Sequence, residues 1–220
     1  MKRIVLFVLI VLGALSFALS LDDAYKLANL TQRKLIIMFS SPTCYYCNLF
    51  KKEVLPKEDF QEILVPNFIL AEIYATDEKT TLFAKEVIGE SSLSYRELFQ
   101  GFGVRGTPTF FFFKGKEGLG YLPGYVEKEM FIKILKYVAQ ELKEDFESYM
   151  KKNDPFVGDP MIVKVSKEEA EFVLEKDKNA VKVESVPGKV RKDRIYVTED
   201  PSLASKLKDM GAMRILVVKD

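Results

Sequence analysis

Ser41-Pro42-Thr43-Cys44-Tyr45-Tyr46-Cys47 holds the only two cysteines of this 220-residue chain. An apolar run, Leu35-Ile36-Ile37-Met38-Phe39, precedes it, and a helix-like run from Asn48 to Leu55 follows. Two thiols at that spacing can close a disulfide without moving the backbone. A helix starting at Cys44 sets that sulfur at its positive end, where a thiolate is favoured. A strand, a tight turn and a CxxC opening a helix make a redox unit. No other pair of residues here supports comparable chemistry.

Other uses of a CxxC fare worse. Zinc wants four ligands, and the chain has no histidine and no third cysteine, so only a dimer sharing two pairs completes a site. A purely structural disulfide would close so short a loop that it removes little unfolded-chain entropy. The expectation is therefore no metal and no cofactor beyond the Cys44–Cys47 disulfide itself. The formal charge of +1 gives no electrostatic case for nucleic acid. The missing histidines also remove Cys–His and Ser–His nucleophile pairs.

Residues 1–20 read as a signal peptide. Met1-Lys2-Arg3 supplies positive charge, Ile4 to Leu19 is apolar or small, and Ser16-Phe17-Ala18 and Ala18-Leu19-Ser20 are cleavage patterns. A retained membrane anchor is the alternative, and it would be the chain's only membrane contact. Either way the remainder is expected to be exported, to a periplasmic or cell-envelope compartment where disulfides persist.

Residues 21–152 read as one unit. A helix is expected over Asp22 to Gln32, capped by Asp22 or Asp23, then a buried strand from Lys34 to Phe39 and the CxxC helix, broken by Pro56. Further elements are a helical stretch from Lys57 to Leu64, a strand from Phe68 to Tyr74 and a mostly helical stretch from Thr80 to Gln100. Thr109 to Lys114, with four consecutive phenylalanines, suits a strand buried on both faces. An edge strand over Tyr121 to Tyr125 and a long helix from Glu127 to about Lys152 follow, the last part of that helix leaving as a connector.

This order of elements resembles the thioredoxin fold. Gly103-Val104-Arg105-Gly106-Thr107-Pro108-Thr109 resembles the loop carrying that family's cis-proline. Leu122-Pro123-Gly124-Tyr125 is similar to exported bacterial thioredoxin-related proteins, a group linked to sulfur oxidation and envelope thiol reduction. The likeness covers residues 22 to 142. It implies a thiol–disulfide oxidoreductase with Cys44 as nucleophile and Cys47 as the thiol that resolves the mixed disulfide. It makes Pro108 a cis proline opposite the pair, exposing the backbone of Thr107 to an extended substrate; an ordinary trans turn is the alternative. Tyr45 and Tyr46 add aromatic contact surface.

Three positions depart from the family pattern. Thr43 replaces a tryptophan, Tyr45-Tyr46 replaces Gly-Pro, and Met38 replaces a buried aspartate that accepts a proton from the second cysteine. Glu72, aligned where the family keeps a buried lysine, is a substitute acceptor if it lies buried under the site. Facing solvent, it has no such role.

Residues 153–160 read as a linker, and 161–220 as a small α/β domain of order βαββαβ, for which a ferredoxin-like sandwich is the expectation. The basic residues Lys189, Arg191, Lys192 and Arg194 read as a solvated loop. The function implied is an exported thiol–disulfide oxidoreductase acting on protein thiols and disulfides. Reduction is the favoured direction, with electrons from a membrane partner. A disulfide-donating oxidase and a non-catalytic peptide-binding module are the alternatives.

Overall fold

Every residue from Leu35 to Ser40 is buried, because helices cover both faces of the strand they form. The structure, a computed structural model, describes residues 19–219. The leader or anchor expected over 1–20 lies outside the described residues, apart from Leu19 and Ser20. In chain order the first elements are α1 (Leu21–Leu30), β1 (Lys34–Ser40), α2 (Tyr45–Leu49), α3 (Glu58–Asn67), β2 (Phe68–Tyr74), β3 (Lys79–Thr80) and β4 (Leu93–Ser94). Next come α4 (Tyr95–Gly101), β5 (Thr109–Lys114), β6 (Glu117–Pro123), α5 (Lys128–Ala139) and α6 (Phe146–Met150). The C-terminal unit comprises β7 (Met161–Val165), α7 (Lys167–Lys176), β8 (Ala180–Lys182), β9 (Ile195–Thr198), α8 (Pro201–Asp209) and β10 (Arg214–Val218). A π-helical turn, Phe50–Val54, prolongs α2, and another spans Ala84–Ile88.

The first sheet has the order β2-β1-β5-β6, with β1 parallel to β2 and antiparallel to β5. Strand alternation sorts its side chains into two cores. Ile36, Met38, Phe110 and Phe112 join Phe50, Phe60 and Phe131 under the helical run after Cys44, α3 and α5. Leu35, Ile37, Phe39 and Phe113 face the other way, onto α1 and α4.

Several expectations need correction. Ser20 caps α1, accepting the Asp23 N–H at 3.1 Å; neither Asp22 nor Asp23 does so. Asp22 instead accepts from the Thr80 hydroxyl and from the N–H groups of Thr81 at 2.9 Å and Phe83 at 3.0 Å. The stretch from Thr80 to Gln100 is not one helix, because Gly89 at φ 92° ends the π turn and β3 pairs with β4 before α4 starts. The hairpin after β5 turns earlier than expected, at Gly115 with φ 55°, so Tyr125 lies beyond β6. The long helix stops at Ala139. Glu141 adopts φ 52°, and its carboxylate reaches Lys34 at 3.1 Å and Lys114 at 2.7 Å. The chain then folds back rather than leaving, with Phe146 and Tyr149 of α6 packed on Tyr137.

The C-terminal sheet has the order β7-β10-β9-β8, and all its neighbours are parallel. A ferredoxin-like sandwich, whose sheet is antiparallel, is thereby replaced by another small α/β arrangement. The segment 183–194 is long enough for the crossover of about a dozen residues that parallel pairing requires.

This unit packs on α1. Leu21 and Leu27 share a core with Val173, Val197 and Leu216. Beneath them Arg33, 4% exposed, donates to Asp177 at 2.6 Å, the Thr31 hydroxyl at 2.8 Å and the Val65 carbonyl at 3.1 Å. The junction therefore sits at the start of β1, whereas the CxxC follows its end.

Candidate active site

β1 delivers the chain to Ser41, whose carbonyl accepts the Cys44 N–H at 3.0 Å and closes the turn. Cys44 is the N-cap of α2: its backbone is extended (φ −73°, ψ 112°) and its sulfur accepts the Cys47 N–H at 3.1 Å. The side chain thus answers one of the N–H groups that a helix start leaves unpaired. Cys44 and Cys47 form a disulfide, with their Cα atoms 5.3 Å apart. Cys44 is half-buried, while Cys47 is fully buried and packs in the core that holds Met38, Phe50 and Phe110.

The loop before β5 meets this pair. The Thr107–Pro108 peptide bond is cis, and the Thr107 carbonyl oxygen lies 3.3 Å from Cys44 Sγ. Hydrogen bonds hold the loop: Gly124 N–H to the Pro108 carbonyl at 2.8 Å, and the Thr109 hydroxyl to the Gly106 carbonyl at 2.7 Å. Tyr45 and Tyr46 are exposed beside the cysteines. Tyr46 stacks on Tyr125 at 5.7 Å between ring centroids, and Tyr125 is half-buried. Cys44, Cys47, Tyr45, Tyr46, Thr107 and Pro108 thus come together at one end of the sheet.

Glu72 lies on β2, the strand beside β1. Alternation along β2 turns it toward the face that carries Met38 and Cys47, and Met38 is its register partner. Its side chain is 24% exposed and paired with Lys51 Nζ at 3.0 Å, with Tyr74 beside them. Of the two sequence readings, a buried acceptor or a solvent-facing residue, the structure gives neither in full: the carboxylate is partly covered and ion-paired. Burial works against the Lys51 charge, but the hydrogen bond and charge of Glu72 outweigh it and raise the Lys51 pKa. The signal for this partner was legible: Lys51 follows Cys47 by four residues, one helical turn, on the same face. Among the described residues no group of three or more His, Cys, Asp or Glu is placed to hold a metal.

A half-buried sulfur capping a helix, its buried partner one turn on, and a loop at van der Waals range define a thioredoxin-like oxidoreductase fold with the CxxC at disulfide distance. The chain belongs to the thioredoxin-like family, whose thioredoxin-like domain model matches residues 21–139. No curated protein matches the chain. Among solved structures it is similar to a thioredoxin-fold protein from Helicobacter pylori, with 20% identity, a TM-score of 0.47, and coverage of 59% of this chain and 94% of that one. A thioredoxin from Thermus thermophilus matches at 26% identity and TM-score 0.42, covering 56% and 88% of the two chains. The periplasmic thioredoxin SoxS from Paracoccus pantotrophus matches at 19% identity and TM-score 0.33, covering 50% and 98%.

Proposed function

We propose that the chain is an exported thiol–disulfide oxidoreductase that reduces protein disulfides. The observation carrying the reading is the asymmetry of the pair: Cys44 sulfur is reachable and caps a helix, while Cys47 is fully buried. In the reduced protein the Cys44 thiolate attacks one sulfur of a partner disulfide, forming a mixed disulfide and releasing the first partner thiolate. Cys47, losing its proton, then attacks Cys44 Sγ. The internal disulfide forms, the second partner thiolate leaves, and two electrons have passed to the partner. A dithiol electron donor, held at the membrane, reverses the last change and restores the pair. The exposed backbone of Thr107 gives the partner segment an edge to lie against, and Tyr45 and Tyr46 give it aromatic surface.

The direction rests on how the thiolate is held. A strong oxidant stabilises its reduced form. Here the Cys44 sulfur has one N–H donor, and no lysine or arginine hydrogen-bonds to it among the described residues. Equilibration against a glutathione series, read by thiol trapping, tests this. A potential near about −270 mV supports the reductase, whereas one near about −120 mV makes the protein a disulfide donor. Trapped mixed disulfides with Cys47→Ser, absent with Cys44→Ser, distinguish exchange from mere peptide binding.

Export rests on residues 1–20. Among the described residues no helix is long and apolar enough to cross a membrane. Cleavage after Ala18 leaves Ser20 to cap α1, whereas cleavage after Ser20 removes that cap and places an ammonium group at the helix start. N-terminal sequencing of the envelope fraction should therefore begin at Leu19. A chain starting at Met1 means a retained anchor.

A further inference from the structure

The loop that touches Cys44 has a second side. Phe102, Val104 and Arg105 of that loop, with Phe111 of β5 and Tyr121 of β6, line an open cavity of about 550 Å³. Its floor is aromatic. Tyr121, 64% exposed, lies flat on Phe111 at 5.3 Å between centroids and 17° between planes. Phe102 leans on the same ring at 4.8 Å. The four-phenylalanine run is thus core at Phe110, Phe112 and Phe113, while Phe111 is left only half-covered. Arg105 stands exposed at the rim and forms no ion pair among the described residues.

This cavity meets the reactive sulfur at a single residue, Thr107, and neither cysteine lines it. Thr107 lines it, and the carbonyl oxygen of the same Thr107 lies 3.3 Å from Cys44 Sγ. A segment held against Thr107 with its cysteine at Cys44 advances about 3.3 Å per residue if extended, and so crosses the Phe111–Tyr121 floor within about three or four residues.

We propose that this cavity is a specificity subsite for the protein segment that presents its disulfide to Cys44, taking an aromatic side chain of that segment with a neighbouring carboxylate on Arg105. The proposal rests on the exchange reading above and names the substrate class it prefers. The incoming ring extends the Phe111–Tyr121 stack, with its edge free to meet Phe102. The carboxylate meets the planar donor fork of the Arg105 guanidinium, which has no ion pair among the described residues. The volume is within the range of cavities that take compact organic groups, and it holds one ring with its flanking residue. No bond is made or broken here; the subsite orients the segment while the sulfurs exchange.

The test uses the reduced full chain and nine-residue peptides, each with one cysteine disulfide-bonded to glutathione. A Phe-Asp pair is moved from four residues before the cysteine to four after it in an otherwise Ser/Ala sequence. Peptides with the pair about three or four residues from the cysteine, on one side, should be reduced about fivefold faster than the unsubstituted peptide. Tyr121→Ala and Arg105→Glu should each diminish that preference while leaving reduction of the uncharged hydroxyethyl disulfide unchanged, and Tyr121→Phe should keep it. A flat scan, or a preference that survives both substitutions, overturns the subsite while leaving the exchange reading intact. A wild-type protein that reduces neither peptide nor hydroxyethyl disulfide sinks the exchange reading, and the subsite with it.

Discussion

Reducing the Cys44–Cys47 disulfide should lower the stability of the fold by about 2 kcal/mol. From Cys44 to Cys47 inclusive the closed loop holds four residues, the cysteines being three apart in sequence. Loop-closure entropy for so small a ring is worth about 2 kcal/mol at 25 °C. Cys47, fully buried among apolar side chains, is tolerated there as a neutral thiol and adds little either way. Stabilisation of the reduced Cys44 sulfur opposes the loop effect. One N–H donor at 3.1 Å, with no lysine or arginine hydrogen-bonded to the sulfur among the described residues, makes this the smaller contribution. The sign bears on function, because a disulfide that stabilises the fold is hard to reduce, and its dithiol is a good reductant. The assay is urea unfolding of the oxidised protein, and of the protein kept reduced by excess dithiol, followed by far-UV circular dichroism at neutral pH. With a slope of about 2 kcal/mol per molar urea, the reduced midpoint should fall by about 1 M. Coincident midpoints, or a reduced form that is the more stable, would refute the reasoning and reverse the direction of electron flow.

Three other perturbations probe other parts of the molecule. Asp177→Asn strips the carboxylate from the buried Arg33 guanidinium, 2.6 Å away, and should cost about 3–5 kcal/mol in urea unfolding; the apolar double variant Arg33→Met, Asp177→Leu should lose less, and a larger loss would contradict the account of the junction. For Asp22, burial works against the charge, but hydrogen bonds from Phe83 N–H, the Thr80 hydroxyl and Thr81 N–H outweigh it and lower the pKa below the ordinary 3.8. A depressed folded value stabilises fully above the unfolded one and is lost as pH falls toward the folded value. The stability gap between wild type and Asp22→Asn should therefore be constant at neutral pH and close below about pH 4, as unfolding midpoints against pH will show. Glu72→Gln should slow resolution of a trapped mixed disulfide at neutral pH by less than the roughly hundredfold of a full general base, since Lys51 holds the carboxylate; an unchanged rate removes Glu72 from the mechanism.

The parts of this fold that were legible in the sequence are those with a local cause. Continuous apolar runs gave β1 and β5, and the CxxC between a strand and a helix gave the redox pair. What was missed depends on partners distant in the chain. Asp22 looked like a cap for its own helix, yet its bonds go to residues about 60 positions away. Glu141 ends α5 in a left-handed conformation because Lys34 and Lys114 hold it, and neither lies near it in sequence. Pairing direction in the C-terminal sheet was equally hidden, since strand spacing carries no sign for parallel or antiparallel. At the site the same division holds. The cysteines and the Thr107–Pro108 loop were readable from motifs, but the Phe111–Tyr121 platform requires knowing that Phe111 alone of its run is only half-covered.

The position of the C-terminal unit limits what it can do to the chemistry. The last carbonyls of α3 lack helical partners, and an arginine from each unit supplies them. Arg33 donates to Val65 O at 3.1 Å, and Arg214 to Pro66 O at 3.2 and 2.8 Å. A helix C-terminus favours cations, yet burial, with Arg33 close by, still pushes Arg214 down to about 10. Two buried guanidiniums and one buried carboxylate, Asp177, tie the two units together. The whole arrangement stands at the start of β1, and a seven-residue strand of about 20 Å separates it from Cys44. The junction therefore lies away from Cys44, while Arg191 of the crossover segment reaches Glu58 at the other end of α3. Truncation at residue 160 would uncover the α1 face, including Leu21 and Leu27, so lost activity in that variant would report unfolding. Asp177→Asn separates the two effects: it weakens the junction while leaving the sulfurs untouched, and a folded variant should still reduce oxidised glutathione at the wild-type rate.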